Sequence, residues 1–185
     1  MSATDKACVL IDGGYVNKML KTHYPRYSIN YLALSEELCG GCGRYRTYYY
    51  MAPPYQSPTA TPEEKIRKAK FDKFIEELKL HPRFVPRLGM LQRTNDPTHP
   101  FRQKGVDVLL SIDLTELSTS KAVQKAIILS ADSDFAPAIE RAKEKFMIIT
   151  LASFKQQYGR VLYSLADERI TITDEMISRI AFRHP

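Results

Sequence analysis

The chain has 185 residues, of which 44% are hydrophobic and 26% charged, proportions typical of a soluble globular protein. No apolar run approaches the roughly 20 residues that a membrane span requires, and the three cysteines form no disulfide framework. The net charge of +6 suits a polyanionic partner, although many basic proteins bind no nucleic acid.

The first residues contain Asp5 and lead directly into a strand, which is unlike a signal peptide. We therefore expect a cytoplasmic protein with no membrane partner. The length favours a single domain over residues 1–185, with its core at about 7–170 and a C-terminal helix at about 174–182.

Short apolar strands alternate with helices along the chain. The predicted strands cover residues 7–11, 44–51, 83–92, 126–129 and 147–151. The first predicted helix follows Gly13-Gly14 and ends at about residue 20, and the second is capped by Ser28 or Asn30 and ends near Cys39. The other predicted helices cover residues 62–80, 104–117, 134–145, 156–165 and 174–182. This alternation implies parallel strands joined by right-handed crossovers. We therefore predict an α/β three-layer sandwich with a mainly parallel central sheet.

Three local features accompany this assignment. The long helix is predicted to bury a face that contains Ile66, Phe74 and Leu78. Pro86 is predicted to kink the third strand. Residues 93–103 are rich in polar side chains and are predicted to form a loop.

Four aspartates fall at one edge of the predicted sheet. Asp12 ends the first strand and Asp132 follows the fourth, while Asp107 and Asp134 lie in the first turns of helices. Ligands bind at this edge in open parallel sheets. Any one of these residues also suits a turn or a helix N-cap, so the inference depends on their convergence. Clustered carboxylates are costly to ionise unless a cation lies among them, which indicates a divalent-metal site and phosphate chemistry.

Asp113 lies on the same predicted helix as Asp107 but faces the apolar arc. Six residues place it roughly 9 Å further along the helix, away from the edge. A buried carboxylate needs a buried partner. We interpret Asp113 as a residue that supports the site from behind and not as a metal ligand.

Three motifs resemble the NYN-domain family of PIN-like nucleases: Ile11-Asp12-Gly13-Gly14, Lys104-Gly105-Val106-Asp107-Val108 and Ser130-Ala131-Asp132-Ser133-Asp134-Phe135. The resemblance runs from about residue 7 to 170. It implies a PIN-like fold and a Mg²⁺- or Mn²⁺-dependent ribonuclease site, whose catalytic and metal-binding positions match Asp12, Asp107, Asp132 and Asp134. Many members carry Asn where this chain has Tyr15; Asn17 is the nearby amide to consider for substrate positioning.

The segment from Arg93 to Lys104 is the candidate RNA-binding surface. Arg93, Arg102 and Lys104 could bind backbone phosphates, and Phe101 or Tyr55 could stack on a base. An ordinary polar loop is the alternative. Elsewhere, Ser130 could hydrogen-bond a ligating carboxylate or a substrate phosphate, or simply cap a helix.

Cys39-Gly40-Gly41-Cys42 has the spacing of a zinc or redox motif. Zinc requires four ligands, and only Cys8 remains, within a predicted strand. We therefore interpret the segment as a Gly-rich turn between a helix and a strand.

The favoured function is a metal-dependent endoribonuclease acting on RNA, with DNA left open and a homodimer allowed. One alternative is an RNA-binding or scaffold module with weak or no turnover, which Tyr15 favours. Another is a small-molecule phosphohydrolase, which would need an enclosed pocket.

Overall fold

The computed structural model describes residues 5–94 and 101–183. Its strands are β1 Lys6–Asp12, β2 Tyr27–Ile29, β3 Gly43–Met51, β4 Phe84–Leu88, β5 Met90–Arg93, β6 Phe101–Lys104, β7 Lys125–Leu129, β8 Ile148–Phe154, β9 Glu168–Ile172 and β10 Ala181–Arg183. Its α-helices are α1 Gly13–His23, α2 Tyr31–Cys39, α3 Pro62–Leu80, α4 Val106–Thr119, α5 Ala136–Glu144, α6 Arg160–Leu165 and α7 Asp174–Ile180, with a 3₁₀ turn at Ser133–Phe135.

Six parallel strands form the central sheet, in the order β4-β3-β1-β7-β8-β9. In chain order, β3 and β4 are added on one side of β1, and β7, β8 and β9 are then added on its other side. The direction in which successive strands are added to the sheet therefore reverses between β1 and β7. A crevice opens at such a reversal, outside the carboxyl ends of the strands, and open α/β sheets bind ligands there.

Helices cover both faces of this sheet, which confirms the predicted three-layer sandwich. Val9 and Ile11 pack with residues of α1, α2, α3 and α7, whereas Cys8 and Leu10 pack with residues of α4, α5 and α6. These four β1 side chains are fully buried. A central parallel strand is apolar on both faces for this reason.

The sequence prediction missed some strands at the end of the chain. β9 pairs with β8 as the sheet's last strand, although the alternating Ile170-Thr171-Ile172 was not assigned to a strand in the sequence prediction. The predicted helix at 174–182 ends at Ile180, and β10 then pairs antiparallel with β2. Strands of three residues carry too little periodicity to be identified from sequence alone.

The predicted loop at 93–103 is partly a β-hairpin. β5 and β6 pair antiparallel, and the predicted loop residues 95–100 lie outside the described part of the chain. The long predicted third strand breaks at Gly89 and not at Pro86. A Cβ on Gly89 would lie 2.7 Å from the Lys104 carbonyl oxygen, so this close approach requires glycine.

α3 begins with a capping box in which Thr61 and Glu64 exchange hydrogen bonds. Its fully buried side chains are Ile75 and Leu78, whereas Ile66 is 57% exposed. The prediction for Ile66 is therefore wrong, since only the second half of α3 packs on the core, with Phe74 partly buried beside Ile75 and Leu78.

Across residues 5–94 and 101–183, the helices are all too short or too polar to cross a lipid bilayer.

Candidate functional site

Asp12 stands where β1 ends and α1 begins. Its Oδ1 accepts a hydrogen bond of 3.0 Å from the Tyr15 backbone N–H, and so caps the helix. Its Oδ2 accepts one of 2.8 Å from the Ser130 hydroxyl. A Cβ on Gly13 would lie 2.6 Å from the Tyr49 ring, so glycine lets the helix start this close to β3. Asp12 is thus held from two sides at the reversal point of the sheet.

Ser130 is fully buried directly after β7. Besides donating to Asp12, its hydroxyl accepts a 3.2 Å hydrogen bond from the Asp132 backbone N–H. Both contacts are with the protein, so Ser130 positions the carboxylates and is not placed to contact a substrate. Of the three predicted roles, the structure contains the contact with a site carboxylate.

Asp132 and Asp134 sit on the short turn that follows β7. Asp132 Oδ1 accepts a 3.0 Å hydrogen bond from the Asp134 backbone N–H, so Asp132 caps the 3₁₀ turn. Phe135 is fully buried and anchors this turn, while both aspartate side chains are exposed. The capping interpretation is therefore correct for Asp132, but it uses one carboxylate oxygen and leaves the side chain at the edge of the sheet.

Asp107 reaches the same edge from the first turn of α4, which lies on the same face of the sheet as α5. Gly105, with φ of 86°, lets the chain turn from β6 into this helix. Partial burial raises the pKa of Asp107, and the charges of Asp132, Asp12 and Asp134 raise it further. Burial likewise raises the pKa of Asp12, against the hydrogen bonds from Tyr15 and Ser130 that lower it. The four carboxylates therefore share one electrostatic environment.

Within residues 5–94 and 101–183, no group of three or more Asp, Glu, His or Cys side chains is arranged to hold a metal ion. The hydrogen bonds explain this arrangement: Asp12 turns toward Ser130 and Tyr15, and Asp132 turns toward the Asp134 N–H. The donor set is nevertheless made of oxygen atoms alone, which is the chemistry that Mg²⁺ and Mn²⁺ prefer.

An open cleft of about 510 Å³ runs from the acidic residues along α4. Asp107 and Asp134 line its upper end. The rest of the lining is provided by Val108, Ser111, Ile112, Thr115 and Glu116. Such an open, mostly apolar surface suits part of a large ligand better than a small molecule enclosed on all sides.

The β5–β6 hairpin carries the predicted basic residues. Arg102 pairs with Gln92 and Arg93 pairs with Phe101, so Arg102 and Lys104 share one face and Arg93 lies on the other. The positive charge of Arg102 lowers the pKa of Asp107, which places Arg102 on the side of the acidic group. The ring of Phe101 contacts that of Tyr55, with their centroids 5.0 Å apart.

Neither Tyr15 nor Asn17 brings a side-chain amide close to the four aspartate carboxylates. Tyr15 is buried, and its hydroxyl donates to the Gln157 carbonyl and accepts a 2.9 Å bond from the Phe154 N–H. Burial raises its pKa to about 12. Asn17 hydrogen-bonds Met51 and Tyr31 on the face of the sheet opposite to α4. No sequence pattern indicated the contact between Tyr15 and the loop after β8.

Asp113 is buried on the inner side of α4, as predicted. Its Oδ2 accepts hydrogen bonds from Tyr50 at 2.8 Å and from Arg87 Nε at 3.0 Å, and its Oδ1 accepts one from Arg87 Nη2 at 2.9 Å. Tyr50 and Arg87 are register partners on β3 and β4. These partners could not be named from the sequence, because β3–β4 register sets them.

Cys39 ends α2, and Gly40 with φ of 55° starts the turn into β3, as the Gly-rich turn interpretation predicted. Burial raises the pKa of the Cys39 thiol to about 12, so it is protonated at neutral pH.

The sheet order and the acidic residues at its reversal point define an α/β protein of the nuclease type. The sequence profile of the NYN domain matches residues 6–173, and the chain belongs to this family, part of the PIN-like nuclease superfamily. Both predictions, of family and of fold, are confirmed.

Two known proteins are similar to this chain. The crystal structure of VPA0982, a protein of unknown function from Vibrio parahaemolyticus, has a TM-score of 0.64 and 16% identity, and the match covers 98% of this chain and 99% of that one. This likeness shows the fold. The uncharacterized protein MJ0482 of Methanocaldococcus jannaschii is 31% identical over 70 residues, which are 38% of this chain and 29% of the archaeal protein.

Proposed function

We propose that this protein is a divalent-metal-dependent endoribonuclease that hydrolyses phosphodiester bonds in RNA. Asp12, Asp107, Asp132 and Asp134 are its catalytic and metal-binding residues. The observation that best supports this is the position of the aspartates: the Ser130 hydroxyl joins Asp12 and the Asp132 backbone at the ends of adjacent strands, and the charges of Asp12, Asp132 and Asp134 help to raise the pKa of Asp107. A fold that gathers four carboxylates at its ligand-binding edge creates repulsion that a cation would relieve.

Mg²⁺ or Mn²⁺ is the proposed cofactor, and PIN-like nucleases usually use divalent metals. When bound, the ion lowers the pKa of a water molecule and polarises a phosphate oxygen. The four aspartates would hold it. Ser130 and the Tyr15 N–H hold the Asp12 carboxylate in place at the reversal point of the sheet, and Arg102 brings positive charge for the scissile phosphate to the side of Asp107.

RNA is the proposed substrate for three reasons. The chain carries a net charge of +6, which attracts a polyanion to an edge that the metal neutralises. Arg102 and Lys104 project from one face of the hairpin, and the charge of Arg102 acts on Asp107, so this face can bind backbone phosphates beside the acidic group. The cleft beside Asp107 is open, whereas a small-molecule phosphohydrolase would need an enclosed pocket.

An RNA-binding module with little turnover is the second candidate, and Tyr15 favours it. At the position where many family members carry Asn, this side chain turns into the core and contacts Phe154 and Gln157. Its hydroxyl therefore makes its hydrogen bonds to Phe154 and Gln157 and not to Asp12.

The test is incubation of the purified protein with end-labelled single-stranded and structured RNA and DNA, with Mn²⁺, Mg²⁺ or EDTA. We expect RNA cleavage that EDTA abolishes and that Asp132→Asn lacks, while Ser133→Ala, an exposed neighbour, retains it. RNA binding without cleavage under all metal conditions would support the second candidate. Wild-type cleavage by Asp132→Asn would refute the proposed site.

A further inference from the structure

Two exposed tyrosines form an aromatic pair on the far side of the acidic group from Phe101. Tyr158 lies in the loop after β8 and Tyr163 on α6, and their ring centroids are 5.2 Å apart. The two side chains are 52% and 43% exposed. Packing in the core therefore does not account for this pair.

A backbone contact places Tyr158 beside the acidic group. Gly159 packs so tightly on the chain after β7 that an added Cβ would lie 2.5 Å from the Ala131 carbonyl oxygen. Ala131 immediately precedes Asp132, and Tyr158 immediately precedes Gly159. Neighbouring Cα atoms are about 3.8 Å apart, so the Cα atoms of Tyr158 and Asp132 each lie about that far from the Cα of the residue that makes the Gly159–Ala131 contact.

Hydrogen bonds to the rest of the protein hold the loop that carries Tyr158. The Tyr15 hydroxyl donates to the Gln157 carbonyl and accepts from the Phe154 N–H, and the Gln157 N–H closes the turn onto the Phe154 carbonyl at 3.2 Å. Gln156 donates to the Tyr24 hydroxyl at 3.1 Å. A ring presented on a fixed loop loses little conformational entropy when a ligand stacks on it.

Basic side chains accompany the pair. The Arg169 guanidinium lies 4.6 Å from the centroid of the Tyr163 ring. Lys155 and Arg160 are exposed on the same loop and at the start of α6. Aromatic rings flanked by positive charge match a strand that offers bases and phosphates in alternation.

We propose that Tyr158 and Tyr163 form a base-stacking platform for single-stranded RNA, so that the strand crosses the acidic group between this pair and Arg102. The proposal rests on the proposed function, since it takes RNA as the ligand of that site. Bases in a duplex are already stacked on one another and do not offer their faces to side chains. The substrate class is therefore unpaired RNA.

Binding is tested apart from cleavage, by fluorescence anisotropy in EDTA at low salt. The probes are a labelled single-stranded RNA, an abasic strand of equal length and the duplex of the same RNA. The variants are Tyr158→Ala and Tyr158→Phe. Phe146→Ala is the matched control, because Phe146 is 95% exposed and lies before β8, at the amino edge of the sheet.

We expect Tyr158→Ala to weaken binding of the single strand about tenfold, as for the removal of one stacked base. Tyr158→Phe and Phe146→Ala should bind it like the wild type, and all proteins should bind the abasic strand alike. Unchanged binding by Tyr158→Ala, or equal weakening on the abasic strand and the duplex, would overturn the proposal. So would a change of molecular mass in solution on Tyr158→Ala, which would assign the pair to an interface between copies.

Cleavage by the wild type with Mn²⁺ is measured in parallel. A wild type that never cleaves but binds single strands through Tyr158 contradicts the endonuclease proposal alone. A wild type that cleaves while Tyr158→Ala binds normally contradicts the stacking platform alone.

Discussion

The Ser130 hydroxyl lies 2.8 Å from Asp12 Oδ2 and joins the ends of two adjacent parallel strands that are 118 residues apart in sequence. Strand register explains this contact, because Ile11 pairs with Leu129 and the next residue of each strand is Asp12 or Ser130. The same hydroxyl accepts the Asp132 N–H. One buried side chain therefore sets the positions of two carboxylates.

Ser130→Ala should weaken both the fold and metal binding. The change leaves the Asp12 carboxylate and the Asp132 N–H without this partner, at a cost of about 1–3 kcal/mol in the free energy of unfolding. Removing a residue that orients a metal ligand typically reduces affinity about 10–100-fold. Denaturant unfolding and calorimetric titration with Mn²⁺ measure the two effects. The exposed Ser133→Ala is the control, and equal affinities for the two variants would contradict the prediction.

Asp12→Asn should melt at a higher temperature than the wild type at neutral pH without metal, and should not cleave RNA. Burial raises the pKa of Asp12 in the folded protein. The folded state therefore binds this proton more tightly than the unfolded state does. The stability contributed by the protonated group is complete below the unfolded pKa of about 3.9 and is lost as the pH rises through the raised folded pKa. Relief of about 1 kcal/mol would raise Tm by about 2–4 °C.

The control for this variant is its response to metal. Mn²⁺ should raise the Tm of the wild type at neutral pH and EDTA should reverse the rise, whereas Asp12→Asn should respond weakly. A variant that melts below the wild type in EDTA would show that the negative charge of Asp12 stabilises the fold.

Asp107→Ala and Asp113→Ala should separate activity from stability. Asp107 is exposed at the acidic group, so its removal should abolish cleavage with little effect on unfolding. Asp113→Ala removes the acceptor of the Tyr50 hydroxyl and of Arg87, and should cost about 1–3 kcal/mol. Thr119→Ala, exposed at the end of the same helix and outside the cleft lining, is the control. If Asp113→Ala unfolds like the control but does not cleave RNA, Asp113 acts in the site itself.

The two faces of the β5–β6 hairpin should differ in RNA binding. Arg102→Ala with Lys104→Ala should reduce the slope of log affinity against log salt by about 0.7 for each RNA phosphate that these side chains bind. Arg93→Ala, on the opposite face, is the matched control and should change the slope less. A larger change for Arg93→Ala would show that the opposite face meets the RNA.

The strand-end aspartates were predictable from the sequence because apolar β1 and β7 leave no ambiguity about where they end. Their hydrogen-bond partners were not, since strand register and loop packing decide them. Tyr15 illustrates the difference. Its position in the sequence indicated that it stands where many family members carry Asn, whereas its contact with Gln157 depends on how the loop after β8 folds back. The Tyr158–Tyr163 pair was missed for the same reason, as residues 156–159 were predicted to be helical and instead form that loop.

The order of the central sheet also determines when the acidic group can form during synthesis. β1 is made first but lies between β3 and β7, and its terminal Asp12 meets Ser130 only when β7 has joined the sheet. Pairings between distant segments are slow to form. A nascent chain that has not yet emerged beyond β7 therefore lacks Asp132 and Asp134 beside Asp12, so the proposed catalytic site is completed only after β7 and the turn that follows it have been made.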